Sequence, residues 1–169
     1  VLASGRGDEL VDTESRKMMM ELLFPESLLI TPNSIEARQL VNNGTEGLDL
    51  SIETCVDRFK GMGCENILIT GSHEDTENVV NTLYGTANQI IPYYWDRLPG
   101  SYHGSGCTLT SAISAYYALG LSIGEAVEEA QYFTWHALKN GFKPGKGQLI
   151  PNRLFQVNDT EDDGKSTYH

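Results

Sequence analysis

Ser101-Tyr102-His103-Gly104-Ser105-Gly106-Cys107-Thr108-Leu109 sets two glycines and small hydroxyl residues at the start of a run of small and apolar residues that carries no charge as far as Leu119. The composition of residues 105–119 predicts a helix buried on more than one side. Glycines let a backbone approach an oxyanion closely. The first N–H groups of a helix lack intrahelical acceptors and lie at the positive end of its dipole. The segment therefore has the parts of an anion cradle that could hold a phosphoryl group, although a glycine pair before a helix is more often only a tight turn. It is not a dinucleotide fingerprint, which needs a third glycine. Nor does the chain have a Walker A loop, because Gly145-Lys146 runs into Gly147. Cys107 falls in the first helical turn, where the positive helix end favours a thiolate able to take a proton. A small residue packed under the turn is the plainer alternative.

Working outward, the apolar face Ala126, Val127, Ala130, Phe133, Ala137 and Leu138 follows a capping box, Ser122-Ile123-Gly124-Glu125, and predicts a second helix ending near Gly141. Upstream, residues 79–84 and 89–94 could pair as a hairpin around Gly85-Thr86-Ala87-Asn88. Ile52, Cys55, Val56, Phe59 and Met62 recur at helical spacing behind a Ser51 cap, with Gly61 and Gly63 as the stop. Residues 66–70 and 27–30 read as short buried strands, the latter bounded by Pro25 and Pro32. Residues 34–41 read as a helix capped by Asn33 or Ser34, and residues 12–23 as a helix stopped by Pro25. Strands alternating with helices argue for an α/β layered fold with a largely parallel sheet. The chain opens Val1-Leu2-Ala3-Ser4-Gly5, which reads as the end of a strand entered from something missing. Residues 158–169 read as a disordered polar tail behind one domain spanning 1–157.

With 12 basic against 23 acidic residues and a formal charge of -11, the chain lacks the positive field that nucleic acid or an anionic membrane surface requires. Cys55, Cys64 and Cys107 are odd in number and have no CxxC spacing, so neither a disulfide framework nor a zinc site is indicated and a reducing, cytoplasmic setting fits. Neither a transmembrane nor a secretory pattern is present in these residues.

His103-Gly104-Ser105-Gly106-Cys107-Thr108-Leu109 resembles the HGTGCTL motif of the hydroxymethylpyrimidine and phosphomethylpyrimidine kinases, a branch of the ribokinase-like superfamily. In that family the Gly-x-Gly segment forms the anion hole for the transferring phosphate, and Cys, or Asp in most other branches, takes the proton of the substrate hydroxyl. The resemblance puts these roles on Gly104, Ser105, Gly106 and Cys107. Tyr102 departs from the commoner Thr. Upstream, Ile30-Thr31-Pro32-Asn33-Ser34-Ile35-Glu36-Ala37 resembles the family's TPNxxEA motif, which lies near the metal and the phosphates. Asn33 and Glu36 stand three apart on one face of a helix opening, from which both could reach a hydrated Mg²⁺. The bare spacing by itself is more often that of an N-cap and its capping-box glutamate, and the same residues could do both jobs. Leu68-Ile69-Thr70-Gly71-Ser72-His73 resembles the strand that ends at the nucleotide, with Thr70 and Gly71 as contacts, although many relatives carry Lys near Thr70. Lys146 sits in a basic glycine loop, Lys143-Pro144-Gly145-Lys146-Gly147, that could touch nucleotide, although such a loop is more often simply solvated.

The resemblance, from Val1 to about Phe155, implies a three-layer α/β/α ribokinase-like fold with a mostly parallel central sheet whose N-terminal strands are missing. It implies in-line transfer of the ATP γ-phosphoryl group to hydroxymethylpyrimidine or its phosphate in thiamine biosynthesis, with ATP and Mg²⁺ required. The partners are then the small-molecule pyrimidine and ATP, with a homodimer left open, and a piece without the N-terminal pocket is expected to be poorly active. A pyridoxal or sugar kinase of the same superfamily is the nearest alternative. A non-catalytic nucleotide-binding module is the alternative from another class.

Overall fold

The first helix of the chain is entered at Asp12, whose carboxylate accepts the Ser15 N–H at 2.7 Å. This is a computed structural model, and it describes residues 11–42 and 50–158. The expected strand end at residues 1–5 and all but the first residue of the expected disordered tail lie outside them. The chain divides into two compact units, one up to Arg97 and one from Leu98 onward.

In the first unit, α1 (Thr13–Met18) runs directly into a π-helical turn (Met19–Leu23) that ends just before Pro25. Two further helices follow, α2 (Ser34–Val41) and α3 (Ile52–Gly61). The apolar face of α3 is buried as its spacing predicts: Cys55, Val56 and Phe59 are inaccessible or nearly so. Phe59 meets Phe24 edge-on, with ring centroids 5.9 Å apart, and Leu40, Val41 and Ala37 of α2 close the same core.

Strand β1 (Ile67–Ile69) has all three residues buried, so it is covered on both faces. Beside it, β2 (Asn78–Tyr84) and β3 (Ile90–Asp96) form the expected hairpin, in register from Asn78 opposite Asp96 to Tyr84 opposite Ile90. A 3₁₀ turn over Thr86–Asn88 joins them, with Ala87 and Asn88 in the left-handed region. The sheet order is β1-β2-β3, and every strand pair in it is antiparallel.

The expectation of a largely parallel sheet is therefore not met among the described residues. Parallel pairing is confined among the described residues to three isolated bridges, Tyr102 with Leu149 in the second unit and, beside β1, Ile30 with Ile67 and Asn33 with Thr70, and residues 27–30 form no strand of their own. Pro32 supplies the reason. It offers its carbonyl to Thr70 N–H at 3.1 Å but has no N–H to return, so the ladder beside β1 breaks into single bridges.

The second unit is built on α4 (Ser105–Ala118) and α5 (Ile123–Lys139), which pack against each other. The predicted capping box opens α5: Ser122 Oγ accepts the Glu125 N–H, and Glu125 Oε2 accepts the Ser122 N–H at 2.9 Å. Charge-free α4 does not behave as expected. Thr108, Leu109, Ala112 and Ile113 are buried, whereas Cys107, Thr110, Ser111, Ser114 and Ala118 are exposed, so one face alone is covered. Within this unit α5 is the neighbour that buries it, and the open face carries mostly small residues together with Tyr117. A strap over residues 148–153 then returns along the start of α4, and a four-residue helix, α6 (Phe155–Asn158), ends the described chain.

Candidate active site

The start of α4 is shaped by Gly104. It stands at the N-cap with φ 86°, a left-handed conformation natural to glycine, and no side chain caps the helix. The first intrahelical bond is Thr108 N–H to Gly104 O, at 3.0 Å. The amides of Ser105, Gly106 and Cys107 precede that bond and have no intrahelical acceptor. The first turn of α4 carries no acidic residue, whereas those of α1, α2, α3 and α5 contain Glu14, Glu36, Glu53 and Glu125. The positive end of this helix is thus left without a carboxylate from its own sequence.

Gly106 is exposed, and a Cβ added to it would meet nothing within 4 Å. Neither packing nor a special backbone angle demands glycine there. Cys107 is likewise exposed, which separates it from the packed alternative, while Cys55 and Cys64 are buried. Burial pushes the Cys64 thiol up to about 11 and raises that of Cys55.

The strap fixes the approach to this turn. Leu149 accepts the His103 N–H at 2.8 Å and donates its own N–H to Ser101 O at 2.9 Å, while Gln148 Nε2 donates to Ser101 Oγ at 2.6 Å. Tyr102, the departure from the family motif, donates its hydroxyl to Pro99 O at 3.0 Å. From the end of the strap, Arg153 Nε donates to Thr108 Oγ1 at 3.0 Å, and Thr108 Oγ1 donates to Gly104 O at 2.8 Å. Lys146 lies exposed in the loop before the strap, between glycines with open space around them.

In the first unit, Asn33 and Glu36 form a reciprocal capping box. Asn33 Oδ1 accepts the Glu36 N–H at 2.8 Å, and Glu36 Oε2 accepts the Asn33 N–H at 3.0 Å. Thr70 is tied to the same entry, its N–H donating to Pro32 O and its carbonyl accepting Ser34 N–H, each at 3.1 Å. Thus Asn33, Glu36 and Thr70 come together at the parallel bridge. Gly71 has a structural duty of its own: its N–H donates to Asn81 Oδ1 at 3.1 Å, and a Cβ on it would run into the Val80 carbonyl. The loop after it is pinned by Arg97, which donates to the carbonyls of Ser72, Glu74 and Thr76 at 2.8–3.1 Å. Among the described residues no three His, Cys, Asp or Glu side chains gather as a metal site. A cation near Asn33 and Glu36 would therefore depend on water and ligand oxygens for most of its shell. No helix of the described residues is long and apolar enough to cross a membrane.

The family described as Phosphomethylpyrimidine kinase matches residues 1–152. The chain belongs to that family. It is 30% identical over 155 residues to the hydroxymethylpyrimidine/phosphomethylpyrimidine kinase of Bacillus subtilis, covering 91% of this chain and 57% of that one. Among solved structures, the pyridoxal kinase from Staphylococcus aureus in complex with AMP-PCP and pyridoxal superposes with a TM-score of 0.76 at 28% identity, over 88% of this chain and 57% of that one. The phosphomethylpyrimidine kinase from Clostridium difficile superposes with a TM-score of 0.63 at 30% identity, over 79% and 53%. The fold is that of these kinases, and the chain spans little more than half their length.

Membership of the phosphomethylpyrimidine kinase family was legible at both motifs, but Arg97 and Arg153 escaped sequence reading. Each acts on backbone or side chain far along the chain, and an isolated arginine in Asp96-Arg97-Leu98 or Asn152-Arg153-Leu154 has no spacing that announces such a bond.

Proposed function

We propose that this chain carries the phosphate-handling part of an ATP-dependent kinase that phosphorylates hydroxymethylpyrimidine or its phosphate, a step of thiamine biosynthesis. The observation that carries the reading is the uncapped start of α4, with Gly104 in the left-handed region and a glycine at 106 that the fold itself does not need. Amides of this kind, preorganised around a developing negative charge, stabilise a transferring phosphoryl group without reorganising. An exposed Gly106 allows an oxyanion to approach the backbone where a methyl group would stand in the way.

In the proposed reaction the acceptor hydroxyl attacks the γ-phosphorus in line, the bond to the ADP oxygen breaks, and the hydroxyl proton passes to the Cys107 thiolate. Cys107 is exposed in the first turn and free to meet a substrate. Asn33, Glu36, Thr70, Gly71 and Lys146 are assigned to the nucleotide side. Asn33 and Glu36 would hold Mg²⁺ through water while keeping their capping box, using oxygen capacity beyond the bonds that cap the helix. When bound, the ion neutralises charge on the ATP phosphates. The parallel bridges of Ile30 to Ile67 and of Asn33 to Thr70 support the proposal of a mostly parallel sheet for the kinase fold. A cytoplasmic enzyme is proposed, in keeping with three free cysteines among the described residues.

The Bacillus subtilis relative supports the pyrimidine acceptor. A second reading, pyridoxal as acceptor, is favoured by the Staphylococcus aureus structure with pyridoxal. Calorimetric titration with Mg-ATP, followed by an assay for ADP with hydroxymethylpyrimidine phosphate or pyridoxal, tests both. ADP formed with the pyrimidine and not with pyridoxal is the expected result. ATP binding without ADP from either acceptor would reduce the chain to a binding module, and no binding at all would end the kinase reading.

A further inference from the structure

The guanidinium of Arg153 stands where electrostatics disfavours it. It donates to Thr108 Oγ1 in the first turn of α4, and one of its terminal nitrogens, Nη2, lies 3.3 Å from where a Gly104 Cβ would be. A cation at the positive end of a helix raises the energy of the folded chain unless an anion offsets it. Among the described residues no carboxylate pairs with Arg153; the ion pairs there join Lys17 to Glu21 and Arg38 to Glu74. In a chain of net charge -11, an arginine that meets no carboxylate among the described residues, beside a helix start whose first turn carries none, is poorly explained as a device for stability.

We propose that Arg153 is a positioning residue for the turn at residues 104–107. Through Thr108 it fixes the Gly104 carbonyl and hence the direction of the following amides, and its charge strengthens the hold of that turn on a phosphate group. The bonds run in sequence: Arg153 Nε donates to Thr108 Oγ1 at 3.0 Å, and that hydroxyl donates to Gly104 O at 2.8 Å. Because the threonine hydroxyl has a single hydrogen, accepting from Arg153 directs that hydrogen to Gly104. The strap holds Arg153 in place, since Asn152 N–H donates to Ala137 O at 2.8 Å one residue earlier and Asn152 Oδ1 accepts the Leu154 N–H at 3.1 Å one residue later. This inference rests on the kinase reading, because it presumes that the turn receives a phosphate.

The test compares wild type, Arg153→Gln, Arg153→Lys and Thr108→Val as full chains by calorimetry with Mg-ATP and with adenosine, alongside thermal melts. Gln keeps a donor but loses the charge, and Val keeps the shape of Thr108 but loses the relay. The expected result is that Arg153→Gln and Thr108→Val weaken Mg-ATP about tenfold or more, and adenosine less than twofold. Arg153→Lys should recover part of the loss, with melting temperatures close to wild type in all three variants. Wild-type affinity for Mg-ATP in folded Arg153→Gln would overturn the proposal and leave the kinase reading standing. Equal losses for ATP and adenosine would also overturn it, by showing a general structural role. Failure of the wild-type chain to bind Mg-ATP would overturn both.

Discussion

The α-carbon of Gly71 lies directly against the carbonyl oxygen of Val80, so that a side chain at residue 71 would collide with the backbone of β2. The same glycine gives its N–H to the side chain of Asn81, one residue further along that strand. Both contacts join the end of β1 to the hairpin, and backbone cannot yield as a flexible side chain does. Gly71→Ala should therefore destabilise the chain by about 2–3 kcal/mol, read as a lower denaturation midpoint. Its effect on ATP binding should follow from unfolding, and a stable Gly71→Ala protein would show that β2 can move aside.

Gly106 predicts the opposite sign. With nothing within 4 Å of an added Cβ, Gly106→Ala relieves the entropic cost of glycine in a helix and should stabilise the fold by about 0.5–1 kcal/mol. The same methyl group would occupy the space an oxyanion needs, so Mg-ATP affinity should fall at least about tenfold. A more stable protein with unaltered ATP binding would remove residue 106 from the phosphate site.

The contrast between these glycines explains how far the sequence could be read. Helix starts are local events, so the caps at Asn33, Ser51 and Ser122 and the hairpin around residues 85–88 were legible from a few consecutive side chains. The motif containing Gly104, Gly106 and Cys107 likewise marked a helix entrance, and the structure leaves that entrance uncapped. Long-range geometry was not legible. Nothing near Gly71 reveals that Val80 presses on it, and nothing near Arg153 reveals Thr108, 45 residues away. The direction of strand pairing was not legible for the same reason: alternation of strands and helices suggested a largely parallel sheet, which the described residues do not bear out, because the hairpin sets antiparallel pairing and the N–H missing at Pro32 reduces the parallel pairing beside β1 to isolated bridges.

Arg38 Nη1 meets Glu74 Oε1 at 2.9 Å and supplies a pH prediction. The Ser34 hydroxyl beside Glu74 and the Arg38 guanidinium hold that carboxyl below its ordinary value of 4.5; the Arg38 bond is the well-aligned one, because Ser34 Oγ makes no bond of good geometry. A lowered folded value means that the contribution to stability is complete above about 4.5 and disappears as pH falls through the folded value. Glu74 is 42% exposed, so the contribution should be no more than about 1 kcal/mol. Melts from pH 7 to pH 3 should show wild type above Glu74→Gln at neutral pH, with the two curves converging in acid. A constant gap across that range would mean that the carboxylate charge is not what stabilises the loop.

The three thiols should separate cleanly under alkylation. Cys64 lies buried with its Sγ 3.8 Å from Phe24 O and its thiol pushed up to about 11, and Cys55 is buried in the α3 core with its thiol also raised. Reaction requires both access and thiolate, so iodoacetamide at pH 8 should modify Cys107 and leave the other two untouched until the chain unfolds. Peptide mass spectrometry reads the three sites separately. If Cys107 faces a bound phosphate donor, saturating Mg-ATP should slow its modification severalfold without altering the slow reaction of Cys55 and Cys64. Protection of all three by Mg-ATP would instead report a global gain in stability, because only opening of the core exposes the buried pair. Unchanged labelling of Cys107 at saturating nucleotide would place the phosphate chain away from the α4 turn and count against its role in transfer.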